Sequence, residues 1–191
     1  MHPARQLSHS RAAPTVNQRG FTLIELMITI GVMAVLLGIA VPSFNEAVLG
    51  GKLGSYANNF VASVNMARSE AIKRSVQVTL CASADGSTCA TSGSWEQGWV
   101  VKCKTTNNTT CDAAGPNWIV LYKQQALASG LKMTESASNL SMLFEPTGVG
   151  ATSATIKVCR ATPSVGSQER VISVTATGRA SVSKTTTGSC S

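Results

Sequence analysis

Apolar and polar positions divide this chain into three stretches with different periods. Residues 1–20 are polar and carry Arg5, Arg11 and Arg19 with no acid. Residues 21–41 read FTLIELMITIGVMAVLLGIAV, with Glu25 as the only charge. At about 1.5 Å of rise per residue, a helix of that length reaches roughly 30 Å, the thickness of a bilayer's hydrocarbon core. Beyond it, apolar side chains recur at Leu49, Leu53, Tyr56, Phe60, Val64, Ala67 and Ala71. Those steps of three and four describe one face of a helix. The pattern predicts a single helix over residues 22–74. Pro42 is its expected kink, and Gly50, Gly51 and Gly54 weaken the next turns. The first half suits a membrane, and the second lays an apolar stripe on a folded domain. Arg68, Glu70, Lys73 and Arg74 are expected to face water.

From residue 76 the period shortens to two. Val76, Val78 and Leu80 alternate with polar residues as in a half-buried strand, and Asp85-Gly86 supplies a turn. Further strands are predicted over 98–102, 117–122, 140–144, 154–159, 170–175 and 179–184. Trp95 and Trp99 read as core or hairpin packing. The fold class is therefore α+β: a long N-terminal helix, transmembrane in its first half, packed on an antiparallel β-sheet domain. The expected divisions are a leader over 1–20, a membrane-spanning helix over 21–41, its amphipathic continuation over 42–75, and a β-rich domain over 76–191.

Composition changes this picture only modestly. Residues 42–191 are enough to bury a real core. Charged residues make up 13% of the chain, which suits an exported β-rich domain better than a cytosolic helical enzyme. The net charge is +7; without the three leader arginines, 13 basic residues face 9 acidic ones, for +4. That mild excess does not by itself imply nucleic acid as a partner. All 6 cysteines follow the apolar run, which favours disulfides in an oxidising compartment. Many connectivities are open. Spacing favours two local clips, Cys81–Cys89 and Cys103–Cys111, with Cys159–Cys190 tying down the last strand. No C-x₂-C pair exists, and both histidines, His2 and His9, lie in the leader, so neither metal nor cofactor is expected. Without a histidine downstream, no Ser-His or Cys-His nucleophile can form, and no enzymatic activity is expected.

Glu25 is the most informative residue. A carboxylate in a membrane helix costs about 2.5–3.5 kcal/mol on insertion scales, so it calls for a partner. A secretory signal peptide is cut after its apolar run. Here Arg19-Gly20 stands directly before the run. A cut between Gly20 and Phe21 would keep the helix and create an α-amino group four residues from Glu25. Amine and carboxylate can then pair, within a chain or between neighbouring helices.

At these residues, Gly20 followed by Phe-Thr-Leu-Ile-Glu-Leu over 21–26, the chain resembles the type IV pilin and pseudopilin superfamily. The resemblance implies cleavage by a prepilin peptidase at Gly20–Phe21, N-methylation of Phe21, and assembly of the helix into a filament. Glu25 then pairs with the terminal amine of an adjacent subunit. The leader is longer than many in that family. A second resemblance covers the domain. Leu80-Cys81-Ala82-Ser83-Ala84-Asp85-Gly86, then Cys89, then Trp95-Glu96-Gln97-Gly98-Trp99, and later Gly178-Arg179, are similar to the GspH/FimT family of minor pilins and pseudopilins.

This resemblance implies a minor pilin of a type IV pilus that primes, caps or joins the filament. A type II secretion pseudopilin is the alternative. The implied partners are other pilins or pseudopilins, the prepilin peptidase and the inner membrane. The implied location is the inner membrane, with a periplasmic domain, and then the filament. Some FimT-type members take up double-stranded DNA through a Gly-Arg-x-Arg motif. Here it reads Gly178-Arg179-Ala180-Ser181, without the second arginine. Arg179, Lys184, Arg170, Arg160 and Lys157 are the candidate phosphate contacts, but a missing cation weakens a term that scales with phosphates neutralised.

Overall fold

The computed structural model describes residues 20–148, 151–161, 168–185 and 190, and of residues 42 and 43 only the backbone. The expected leader thus lies outside the described residues except for Gly20. The chain forms two compact units, residues 1–42 and 43–191.

One helix, α1, spans Leu23–Arg74, and its helical backbone runs through Pro42. In the first unit its apolar side chains are exposed all round; Leu23 is 76% exposed and Ile39 72%. In the second unit the predicted stripe is buried. Leu49, Leu53, Phe60, Val64, Ala67 and Ala71 have almost no exposed surface. Tyr56 departs from it slightly. It is half-buried, its hydroxyl accepts a hydrogen bond from the Ala128 amide at 3.2 Å, and Ala57 takes the inward position.

α1 ends in a Schellman motif. Val76 N–H donates to the Ala71 carbonyl at 3.2 Å, Ser75 N–H to that of Ile72 at 3.3 Å, and Ser75 adopts φ 54°. This occupies Val76, which the alternation placed in a strand. The first strand, β1, instead covers Val78–Ala82. It is followed by a short 3-10 turn at Trp95–Gln97, then β2 (Trp99–Thr105), β3 (Asn117–Gln124), β4 (Leu131–Glu135), β5 (Ser141–Phe144), β6 (Ala154–Arg160), β7 (Glu169–Val174) and β8 (Ala180–Thr185).

Among the described residues these strands build two four-stranded antiparallel sheets, ordered β3-β2-β1-β5 and β4-β6-β7-β8. The domain is thus built on two sheets rather than one. β4 was not predicted. Its five residues, LKMTE, hold only Leu131 and Met133 as apolar positions. Pairing with β6 makes them a strand. β1 is buried on both faces rather than one, because it is central in its sheet and its outer face is closed by its own loop. Cys81 bonds Cys89, and Ala90 N–H returns to the Ala82 carbonyl at 2.8 Å.

The core lies between the helix stripe and the inner sheet faces. Phe60 sits edge-on to both tryptophans, with ring centroids 5.2 Å from Trp95 and 5.3 Å from Trp99. Such pairs add about 0.5–1.5 kcal/mol beyond area burial. Both indole N–H groups find partners: Trp99 donates to Ser63 Oγ and Trp95 to the Asn139 carbonyl, each at 2.9 Å. Arg68 departs from the expectation that it faces water. It is half-buried, its Nε is buried without a hydrogen-bond partner among the described residues, and its stem passes beneath the turn at Gly178. Glu70, also half-buried, pairs with Arg74 and Lys73 one turn on.

Candidate functional site

The start of α1 is built from four consecutive motif residues. Gly20, Phe21 and Thr22 are not helical, and the helix begins at Leu23. Thr22 Oγ1 accepts a hydrogen bond from the Glu25 amide at 3.2 Å, and the Thr22 amide donates back to Glu25 Oε2 at 3.4 Å. Leu26 N–H makes the first helical bond, to the Thr22 carbonyl, at 3.2 Å. This is a reciprocal capping box with Thr22 as N-cap. It satisfies one otherwise orphaned amide of the first turn and places a carboxylate at the positive end of the helix dipole. Thr-x-x-Glu spells that box in the sequence, and the reading of Glu25 as a charge partner passed over it. Around it Phe21, Leu23, Ile24, Leu26 and Met27 expose 55–84% of their surface. Among the described residues, this carboxylate thus stands alone in an uncovered apolar collar, one turn from the Gly20–Phe21 peptide bond.

The domain is held by three disulfides, Cys81–Cys89, Cys103–Cys111 and Cys159–Cys190, with Cα–Cα distances of 5.5, 5.6 and 5.6 Å. The first two each close a loop with a sequence separation of 8, and the third closes one of 31. In the loop-entropy account the short clips stabilise by about 2.5 kcal/mol and the long one by about 3.5 kcal/mol.

Carboxylates organise the loops. Asp85 accepts from Thr88 Oγ1 at 2.7 Å and from the Thr88 and Ser87 amides at 2.8 Å. Those bonds, Thr88's first, hold its carboxyl far below the usual range. Asp112 is held low in the same way by the Thr106 hydroxyl and amide. Glu96 links the two sheets: from the turn before β2 it accepts from Lys132 Nζ at 3.0 Å and the Met133 amide at 3.1 Å, both on β4. Burial pushes its carboxyl up, but Ser94, Met133 and Lys132 outweigh that and leave it lowered. Lys102 is 7% exposed on β2, with its ammonium 4.6 Å from the Trp118 ring centre. Burial lowers its pKa, and Asp85 partly offsets that.

The five cations named for phosphate contact do not share one surface. Arg160, Arg170 and Lys184 share the sheet face of Val158 and Ile172: Arg170 is paired with Val158 on one side and Lys184 on the other, and Arg160 stands two residues beyond Val158. Arg170 reaches the helix, donating to the Gly50 carbonyl at 3.2 Å. Lys157 points to the opposite face, with Nζ 3.5 Å from the buried Glu169 carboxylate. Arg179 is exposed at the β7–β8 turn. There Gly178 has a structural reason to be glycine: its φ is +69°, and a Cβ would sit 3.0 Å from the Arg68 stem.

Two family descriptions match the chain. Residues 56–178 match "Type II transport protein GspH", and residues 16–41 match "Prokaryotic N-terminal methylation motif". No curated protein matches. Among solved structures, the type IV minor pilin FimU of Pseudomonas aeruginosa is similar at 23% identity, over 70% of this chain and 89% of that one, with a TM-score of 0.51. The minor pseudopilin EpsH of the Vibrio cholerae type 2 secretion system aligns at 12% identity, over 72% and 99% of the two chains, with a TM-score of 0.44. The FimU likeness supports the fold: one N-terminal helix followed by antiparallel sheet.

Proposed function

The chain belongs to the family of type II transport protein GspH, and from that premise we propose that it is a minor pilin which joins a type IV pilus filament through α1. The observation that carries this reading is Glu25, the only charge in an apolar run that starts directly after Gly20. A prepilin peptidase cuts between Gly20 and Phe21, and the new amine of Phe21 is methylated. Residues 21–41 hold the chain in the inner membrane, with the disulfide-bonded domain in the periplasm. On assembly, other pilins cover the exposed collar, and Glu25 pairs with the amine of a neighbouring subunit. That pairing offsets the cost of burying either charge alone. Pro42 is the proposed point where the helix gives as it enters the filament.

The description of the matched family favours a second reading, a type II secretion pseudopilin, which uses the same N-terminal physics. Sequencing the purified chain from its amino terminus tests what both share: it should begin at methylated Phe21. A chain that begins elsewhere ends both readings. Copurification with pilus subunits or with secretion pseudopilins then separates them.

A further inference from the structure

The cap at Thr22 has a consequence for the bond two residues upstream. Without a side-chain cap, the amides of the first turn can gain backbone acceptors if the helix grows backwards by one turn. In α1 that growth would give the Glu25 N–H the Phe21 carbonyl as acceptor, and the Ile24 N–H the Gly20 carbonyl. The Gly20 carbonyl belongs to the peptide bond that processing must cut. Drawn into a helix, it would be hydrogen-bonded and turned along the helix axis, away from an attacking nucleophile. In the structure Thr22 Oγ1 already occupies the Glu25 amide at 3.2 Å, Glu25 Oε2 accepts from the Thr22 amide at 3.4 Å, and residues 20–22 stay non-helical. Apolar surroundings sharpen the choice, since an unsatisfied amide costs several kcal/mol in lipid.

We propose that Thr22 is a positioning residue for processing: its capping box with Glu25 stops the helix at Leu23 and keeps the Gly20–Phe21 peptide outside it. Glu25 therefore has two separable tasks. As a hydrogen-bond acceptor it completes the cap in the unprocessed chain; as a charge it pairs with an amine in the assembled one. Glutamine can perform the first task and not the second, because its amide oxygen still accepts from the Thr22 N–H. This inference rests on the processing reading above.

The test uses the full chain in membranes with a prepilin peptidase, following the cleaved fraction over time. Thr22→Val keeps the shape of the side chain and removes its hydroxyl. It should slow cleavage about fivefold, the population change that loss of an ordinary side-chain cap produces. Thr22→Ser should restore the rate. Glu25→Gln should be cut at close to the wild-type rate, yet fail to enter filaments. Wild-type cleavage of Thr22→Val overturns the proposal while leaving the processing reading intact. Equal slowing in Thr22→Ser also overturns it, since a hydroxyl would then be irrelevant. A wild-type chain that is not cut at Gly20–Phe21 overturns both.

Discussion

Residues 23–41 and residues 44–74 belong to one helix and treat their apolar side chains in opposite ways. In the first segment they point in every direction, and among the described residues none covers them; Ile28 is 59% exposed and Val32 55%. In the second most of them form one buried stripe, with Phe60 and Val64 fully buried, although Phe44 and Ile72 stay exposed. A helix that is apolar all round is built for surroundings that are apolar all round, either lipid or other helices. A helix with one apolar stripe is built for one surface, here its own two sheets. Fully burying each large apolar side chain is worth about 1.5–3 kcal/mol. The second segment gains that within the chain, and the first is left to gain it from outside. Glu25 sits at the far end of the segment that lacks an internal partner.

The sharpest way to break this contrast is to remove one side chain from each segment. Phe60→Ala should destabilise the domain by about 3–5 kcal/mol, because the ring fills the space between Trp95 and Trp99. Ile28→Ala should leave domain melting unchanged. Equal loss in both would mean that the two segments are not energetically separate. A smaller effect is expected for charge. Val32→Arg should cost about 2.5–3.5 kcal/mol of membrane insertion and shift the chain out of the membrane fraction. Asn58→Arg, also on an exposed helix position, should not move it.

Acid should act on the domain through Glu96. In the folded chain the Glu96 carboxyl is held below its ordinary range. Its stabilisation is therefore present above the unfolded value and is lost as pH falls through the folded one. Melting temperature should start to drop as pH falls below the ordinary glutamate value of about 4.3, and Glu96→Gln should flatten that slope. An unchanged slope would rule out the Lys132 and Met133 contacts as its source. The smallest effect concerns the helix end. Ser75 holds a left-handed conformation that glycine adopts freely, so Ser75→Gly should stabilise the domain by about 0.5–1 kcal/mol in denaturant unfolding.

Much of this molecule was legible before any coordinates. The apolar run, its lone acid and the three-four stripe gave one helix and its buried face, because helical periodicity is written in neighbours three and four residues apart. Seven of the strands were legible from alternation, and the cysteine spacing pointed to clips around the loops at 81–89 and 103–111. β4 escaped because Leu131 and Met133 are too few to mark a strand without β6 beside them. The burial of Arg68 escaped because it depends on the β7–β8 turn, far along the chain, arriving over its stem. The capping box was spelled at Thr22 and Glu25, but a charge in a membrane helix is so costly that it drew attention from the hydrogen bond.

Local pattern thus determined the long helix, seven of the described strands and which helix face is inward. Tertiary structure alone decided that the eight strands among the described residues divide into two sheets, in what order they pair, and which cations lie on the same side. The physical reason is range. Periodicity reports interactions within a few residues, whereas strand order and side-chain neighbourhood are set by contacts such as Arg170 with Gly50, which no window along the sequence contains.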